Sequence, residues 1–172
     1  MRVAWFSSRN ISLSTVPVPL DDLWPLITDA QTLASLTPLV RSIEDVGEHW
    51  RWTLDGIEGL GIKVAPVFTE RMEFTEKSQI VFAHDPPAGS REKAAVEGVY
   101  DFEPVGDDAT ELKVDLTLKV DLPLPRLSRP AVERIMSVSM RVTGQRFASN
   151  LYKRLGLDPD DVSITELPVP RS

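Results

Sequence analysis

From Glu111 to Leu122 the chain alternates without a break: Leu112, Val114, Leu116, Leu118, Val120 and Leu122 interleave with Glu111, Lys113, Asp115, Thr117, Lys119 and Asp121. Successive side chains of a strand point to opposite faces, so this run is a strand with one apolar and one wet face. A sheet built from such strands is antiparallel, because parallel sheets are covered on both faces. The same period of two runs through Trp50, Trp52 and Leu54, through Phe68, Met72 and Phe74, through Ile80 and Phe82, and through Ala94, Val96, Gly98, Tyr100 and Phe102. Between these runs stand turn signals: Gly56, Gly59 and Gly61; Glu76-Lys77-Ser78; Asp85-Pro86-Pro87-Ala88-Gly89-Ser90; and Gly106-Asp107-Asp108. Residues 3 to 18 read as a first strand, with Ile11, Leu13 and Thr15 on one parity and Pro17 and Pro19 ending it. Six or seven strands are expected in all.

Two short helices fall between the first strand and the rest. Asp21 and Asp22 put negative charge at the start of one, ahead of Leu23, Trp24, Leu26 and Ile27, and Pro25 is tolerable only in its first turn. Asp29 caps the second, which carries Leu33 and Leu36 and closes before Pro38. After Pro123 and Pro125 the period becomes helical, with Val132, Met136, Met140, Thr143, Phe147, Leu151 and Leu155 at spacings of three and four. Ser128 is the expected N-cap, Pro130 fits the first turn, and Gly156 is the expected left-handed stop. This amphipathic helix is long enough to cross the whole sheet.

The 172 residues suffice for one core without staples, and zero Cys excludes disulfides, thiolate metal sites and cysteine nucleophiles. Only His49 and His84 could ligate a metal through imidazole; no metal or other cofactor is implied. The net charge of −7 argues against nucleic acid as a partner. Residues 123 to 156 nevertheless carry seven Lys or Arg against Glu133 alone, read as a solvated outer face or as attraction to anionic groups. No signal peptide and no apolar run of membrane-spanning length is visible, so a cytoplasmic chain without stable membrane insertion is expected. One domain over 1–156 and a weakly ordered tail over 157–172 complete the organisation.

Strand, two short helices, antiparallel meander and long C-terminal helix is the element order of the helix-grip fold. Val18-Pro19-Leu20-Asp21-Asp22-Leu23-Trp24, with Asp29-Ala30, Leu33 and Leu36-Thr37-Pro38, resembles the opening of the START-like SRPBCC superfamily, which includes polyketide cyclase/dehydrase-like and lipid-transport proteins. Trp50-Arg51-Trp52-Thr53-Leu54 is similar to its third strand, and the likeness covers roughly residues 9 to 156. Gly56-Ile57-Glu58-Gly59-Leu60-Gly61 is a poor copy of the glycine-rich loop of the plant members. The resemblance implies an α+β fold in which a curved antiparallel sheet wraps the long helix around a ligand cavity.

The inward parity carries bulky side chains: Trp50, Trp52, Phe68, Met72, Phe74, Phe82, Tyr100, Met136, Met140 and Phe147. Two readings fit them, a filled core or the walls of a hydrophobic site. Glu70 falls between Phe68 and Met72 on that parity, where an ionised carboxylate needs a cation, water or a proton. It reads as a ligand contact or general acid, or as a register slip that turns it outward. Tyr100 offers a hydroxyl to a ligand or to backbone. His84, at a strand end, reads as a loop histidine or as an acid–base group near a cavity mouth; His49 takes the wet parity. No Gly-x-Ser-x-Gly elbow, phosphate loop or calcium-loop spacing occurs. The expectation is a binding or carrier protein for a hydrophobic small molecule (lipid, polyketide or quinone-like) with no catalytic residue assigned. A cyclase/dehydratase-like enzyme using the same cavity, with Glu70, Tyr100 and His84 as its candidates, is the alternative.

Overall fold

A computed structural model describes residues 4–59 and 62–171. The chain forms β1 (Ala4–Val16), α1 (Leu20–Ile27), α2 (Ala30–Leu36), β2 (Val40–Asp45), β3 (His49–Leu54), β4 (Ile57–Gly59), β5 (Ile62–Val64), β6 (Val67–Thr75), β7 (Gln79–His84), β8 (Ala94–Val105), β9 (Ala109–Leu122), α3 (Arg129–Arg154) and β10 (Ile164–Leu167), with 3₁₀ turns at Arg126–Ser128 and Pro159–Asp161. Eight strands make one antiparallel sheet in the order β10-β1-β9-β8-β7-β6-β3-β2, and β4 pairs with β5 as a separate hairpin. The α+β helix-grip architecture is therefore present, with more strands than expected. Of the glycine signals at 56–61, Leu60 and Gly61 lie outside the described residues, as does Val3 at the expected start of the first strand; the flanking segments form the hairpin that was read as a turn.

The apolar parity does face the core. Trp52 stands opposite Phe68, Met72 opposite Phe82, and Ile80 opposite Tyr100, so each row continues across its neighbours on the same face. Trp50, Phe68, Ile80, Phe82, Phe102 and Leu112 are buried there with Leu23 and Ile27 of α1, Leu33 and Leu36 of α2, and Leu151 of α3. Asp29 caps α2 by accepting from the Thr32 N–H at 2.7 Å, as its sequence position requires.

Several local expectations fail for identifiable reasons. Pro25 lies inside α1, beyond its first turn; in so short a helix its missing N–H removes one bond of very few, and Leu23 and Ile27 are held by burial. Ser128 makes no capping bond, because its backbone is already helical (φ −77°, ψ −6°) as the end of the preceding 3₁₀ turn. Gly156 does adopt the left-handed conformation, φ +74°. The tail is not loose: β10 pairs with β1 from Ile11–Leu167 to Ser14–Ile164, and Leu157 and Val162 pack on the main core.

Helix α3 is not amphipathic in the simple sense. Val132, Met136 and Leu151 are buried, yet Ile135, Val138 and Val142 on the other side are each 44–50% exposed. Apolar side chains thus fall on two faces, and only packing chooses the inner one. The helix is fastened at its N-terminal end, where Glu133 accepts the Ser7 N–H of the β1 edge at 3.0 Å and pairs with Arg129, whose guanidinium sits 5.5 Å from the Phe6 ring centre. Near its C-terminal end Asn150 donates to the Leu36 carbonyl at 3.0 Å. No helix among the described residues is long and apolar enough to cross a membrane.

Candidate functional site

Two clusters of buried apolar residues lie under α3, with half-buried Leu118 packed against both. At the N-terminal end of the helix Val132 and Met136 pack with Ala4 and Phe6, and at its C-terminal end Phe147 and Leu151 join the main core. The middle of β1 is polar on this face. Its inner parity runs Ala4, Phe6, Ser8, Asn10, Ser12, Ser14, Val16, so four small polar residues interrupt the apolar row beneath the middle of the helix. Sequence reading marked the other parity of β1 through Ile11 and Leu13; the register instead puts Ser12 opposite Val114 and Asn10 opposite Leu116 on the inner face.

Half-buried side chains lie between these clusters. Val114, Leu116 and Leu118 of β9 and Met140, Thr143 and Gly144 of α3 are all half-buried, although sheet and helix face each other there. A side chain added at Gly144 would meet nothing within 4 Å. Trp52, Met72 and Tyr100 are likewise half-buried on the concave face. These half-buried apolar side chains stand beside a row of serines and Asn10 on β1.

The expected site residues divide. Trp52, Met72, Tyr100, Met140 and Phe147 are half-buried and Glu70 is buried. Trp50, Phe68 and Phe82 are buried in the main core and Met136 in the smaller cluster. Phe74 is 44% exposed at the rim, tilted against Trp50, because β6 runs past the edge of the core there. Two surface depressions, one of about 270 Å³ by Trp24, Thr28, Phe74 and Glu76 and one of about 510 Å³ by Val138, Arg141, Val142, Gln145 and Arg146, touch neither Glu70, Trp52 nor Tyr100.

Glu70 is inward and 2% exposed. The register places it opposite Trp50 on one side and His84 on the other, with no slip. Burial pushes its pKa up to about 8, against a smaller downward pull from the Trp52 indole. At neutral pH the group is therefore mostly a neutral acid. Burial, and then the Glu70 charge, raise the pKa of the Tyr100 hydroxyl as well. The Tyr100 ring meets Phe82 edge-on at 5.0 Å, which fixes its direction.

His84, opposite Glu70 on β7, gives its ring to Glu92 instead. Its Nε2 lies 2.8 Å from Glu92 Oε2, and the same carboxylate accepts from Thr69 N at 2.8 Å and Thr69 Oγ1 at 2.7 Å. Glu92 thus closes the open end of the β6–β7 ladder, a role the sequence carries no local sign of. His49 pairs with Asp85 at 2.8 Å and holds that carboxyl below its ordinary range. Among the described residues no cluster of His, Asp and Glu fits a metal ion.

No protein-family model and no curated sequence matches the chain. Solved structures do. A protein from Deinococcus radiodurans shares 23% identity with a TM-score of 0.57, over 88% of this chain and 98% of that one. A START superfamily protein from Mycobacterium smegmatis shares 19% with a TM-score of 0.61, over 86% and 97%. An aromatase/cyclase from Streptomyces shares 14% with a TM-score of 0.55, over 86% and 90%. The chain has the START-like fold of these proteins, and at such identities the likeness is one of fold alone.

Proposed function

We propose that the protein binds a hydrophobic small molecule in a trough between its sheet and α3. The observation that supports this reading is the half-burial of Val114, Leu116 and Leu118 on the inner face of β9 and of Met140 on α3. Apolar side chains left this way gain free energy from a guest, about 7 kcal/mol gross for roughly 300 Å² covered, less the cost of immobilisation. Met72 and Met140 suit guests of irregular shape. START superfamily and aromatase/cyclase proteins share the fold.

Titration with Nile red, a neutral solvatochromic dye, tests the reading. One equivalent is expected to bind with a blue shift, and Met140→Trp is expected to weaken binding at least about tenfold by filling the trough. Absence of binding to the native protein, or no effect of Met140→Trp, overturns it.

A cyclase-like reaction in the same trough is the second reading, favoured by Glu70 alone, whose burial pushes its pKa up to about 8 and keeps it a neutral acid that can give a proton. In that case Glu70→Gln abolishes turnover of a poly-β-ketone substrate while leaving its affinity within about threefold.

A further inference from the structure

Helix α3 carries a second stripe on the side turned away from its buried residues. Ala131, Ile135, Val138, Val142 and Gln145 follow one another at spacings of four, three, four and three, the a/d repeat of a coiled-coil seam. All five are exposed, Ile135 by 50% and Val138 and Val142 by 44% each. The larger surface depression, lined by Val138, Arg141, Val142, Gln145 and Arg146, sits on this stripe. Val138, Arg141, Val142 and Gln145 stand at i, i+3, i+4 and i+7, the four-cornered frame that receives one knob of a facing helix. The shape therefore suits a helix.

Charge narrows the choice of helix. Arg134 and Arg141 precede Ile135 and Val142 on one flank of the stripe, and Arg146 follows Gln145 on the other, the positions that set partner choice in a coiled coil. Among the described residues none of these three guanidinium groups is paired, whereas Arg129 of the same helix holds Glu133. A second copy seated here would bring arginine against arginine, which opposes self-pairing. Residues 123 to 156 hold seven Lys or Arg and one Glu, so of the chain's net −7 the remainder carries −13. An anionic bilayer would attract the helix and repel that remainder. A stripe of two positions per heptad is also narrower than the apolar face of a helix that lies in a lipid interface.

We propose that the outer face of α3 docks an acidic amphipathic helix of a partner protein. Apolar side chains of that helix seat on Ile135, Val138 and Val142, and carboxylates on its flanks pair with Arg134, Arg141 and Arg146. This surface lies on the far side of α3 from Val132, Met136 and Leu151, so it does not depend on the ligand reading of the inner face.

Fluorescence anisotropy of a labelled synthetic peptide, titrated with the full chain, tests the proposal. The peptide is about four heptads long, with Ile at a, Leu at d and Glu at every e and g, so that its own charge opposes self-pairing. One equivalent is expected to bind at about 0.05 M NaCl, and at least about tenfold more weakly at about 0.5 M. The double variants Arg141→Glu with Arg146→Glu and Val138→Ser with Val142→Ser are each expected to weaken binding at least about tenfold. All four positions are exposed, so the fold is retained, as circular dichroism checks. A peptide with Lys in place of Glu, and one with Ser at every a and d, are expected not to bind. Absence of binding by the acidic peptide, binding that survives in either double variant, or equal binding of the Ser-substituted peptide overturns the proposal. Co-sedimentation with phosphatidylglycerol vesicles that the valine variant abolishes overturns it in favour of a lipid surface. A dimer in sedimentation velocity that the same variant abolishes overturns it in favour of a second copy.

Discussion

Gly98 lies beneath the Phe82 ring and against the Asp115 carbonyl: a Cβ at this position would stand 2.8 Å from Phe82 Cζ and 2.1 Å from Asp115 O. Gly98 is directly opposite Phe82 on β7 and Leu116 on β9, so the missing side chain lets Phe82 lie across β8 and reach Tyr100 edge-on. Gly98→Ala forces β8 away from β9 at the centre of the sheet. It is expected to lower unfolding free energy by about 2–3 kcal/mol, read as a lower urea midpoint, since backbone on one side leaves little room to give.

Gly144→Ala is expected to do the opposite. The position is helical and its added methyl would touch nothing, so only the backbone entropy of glycine is removed. A gain of about 0.5–1 kcal/mol in the same urea experiment is the expected result, and a loss would mean that the space beside the helix is occupied.

Glu70 makes stability depend on pH. Its folded pKa, about 8, lies above the ordinary 4.5, so between those values the folded state holds a proton that the unfolded chain has released. Stability is fully present below about pH 4.5 and falls as pH rises toward 8, on the order of 1.4 kcal/mol per unit at the steepest. Glu70→Gln should flatten this limb. Urea denaturation at pH 5, 6.5 and 8 compares the slopes, and parallel curves for the two proteins would show that Glu70 is not buried as described.

Glu92 holds the end of β6 through three hydrogen bonds, two of them to the 3%-exposed Thr69. Glu92→Ala leaves the Thr69 N–H and hydroxyl without partners and is expected to cost about 2–3 kcal/mol. The loss should be strongly non-additive with Thr69→Val in a double-mutant cycle, because both changes break the same bond. Hydrogen exchange at the Thr69 amide should accelerate in Glu92→Ala while that of Phe102 does not.

Removal of residues 158–172 tests the tail. It takes β10 from β1 and opens that edge from Ile11 to Ser14, and it strips Val162 from the main core. Lower melting temperature and concentration-dependent association on gel filtration are expected, because an unpaired strand edge recruits another chain.

What sequence reading resolves here is whatever has a local period. Alternation from Glu111 to Leu122 follows from the steric geometry of one strand; it puts Glu70 on the inward parity but leaves a register slip open, which the pairing with Trp50 and His84 closes. Asp29 and Gly156 mark helix ends because capping involves groups within one turn. Where the chain carries two apolar parities, as in α3 and in β1, its period no longer says which face is covered. Ile135, Val138 and Val142 repeat at helical spacing as well as Val132 and Met136 do, and only docking onto Phe6 and Ala4 separates them.

The chain by itself thus determined the alternating strands and the three helices, all set by forces acting within a few residues. Tertiary structure alone decided that β10 completes the sheet on β1, that Glu92 rather than a ladder carbonyl serves Thr69, and that the register turns Ser8 to Ser14 to the inner face. Each of these depends on which distant surfaces meet, which no local period records.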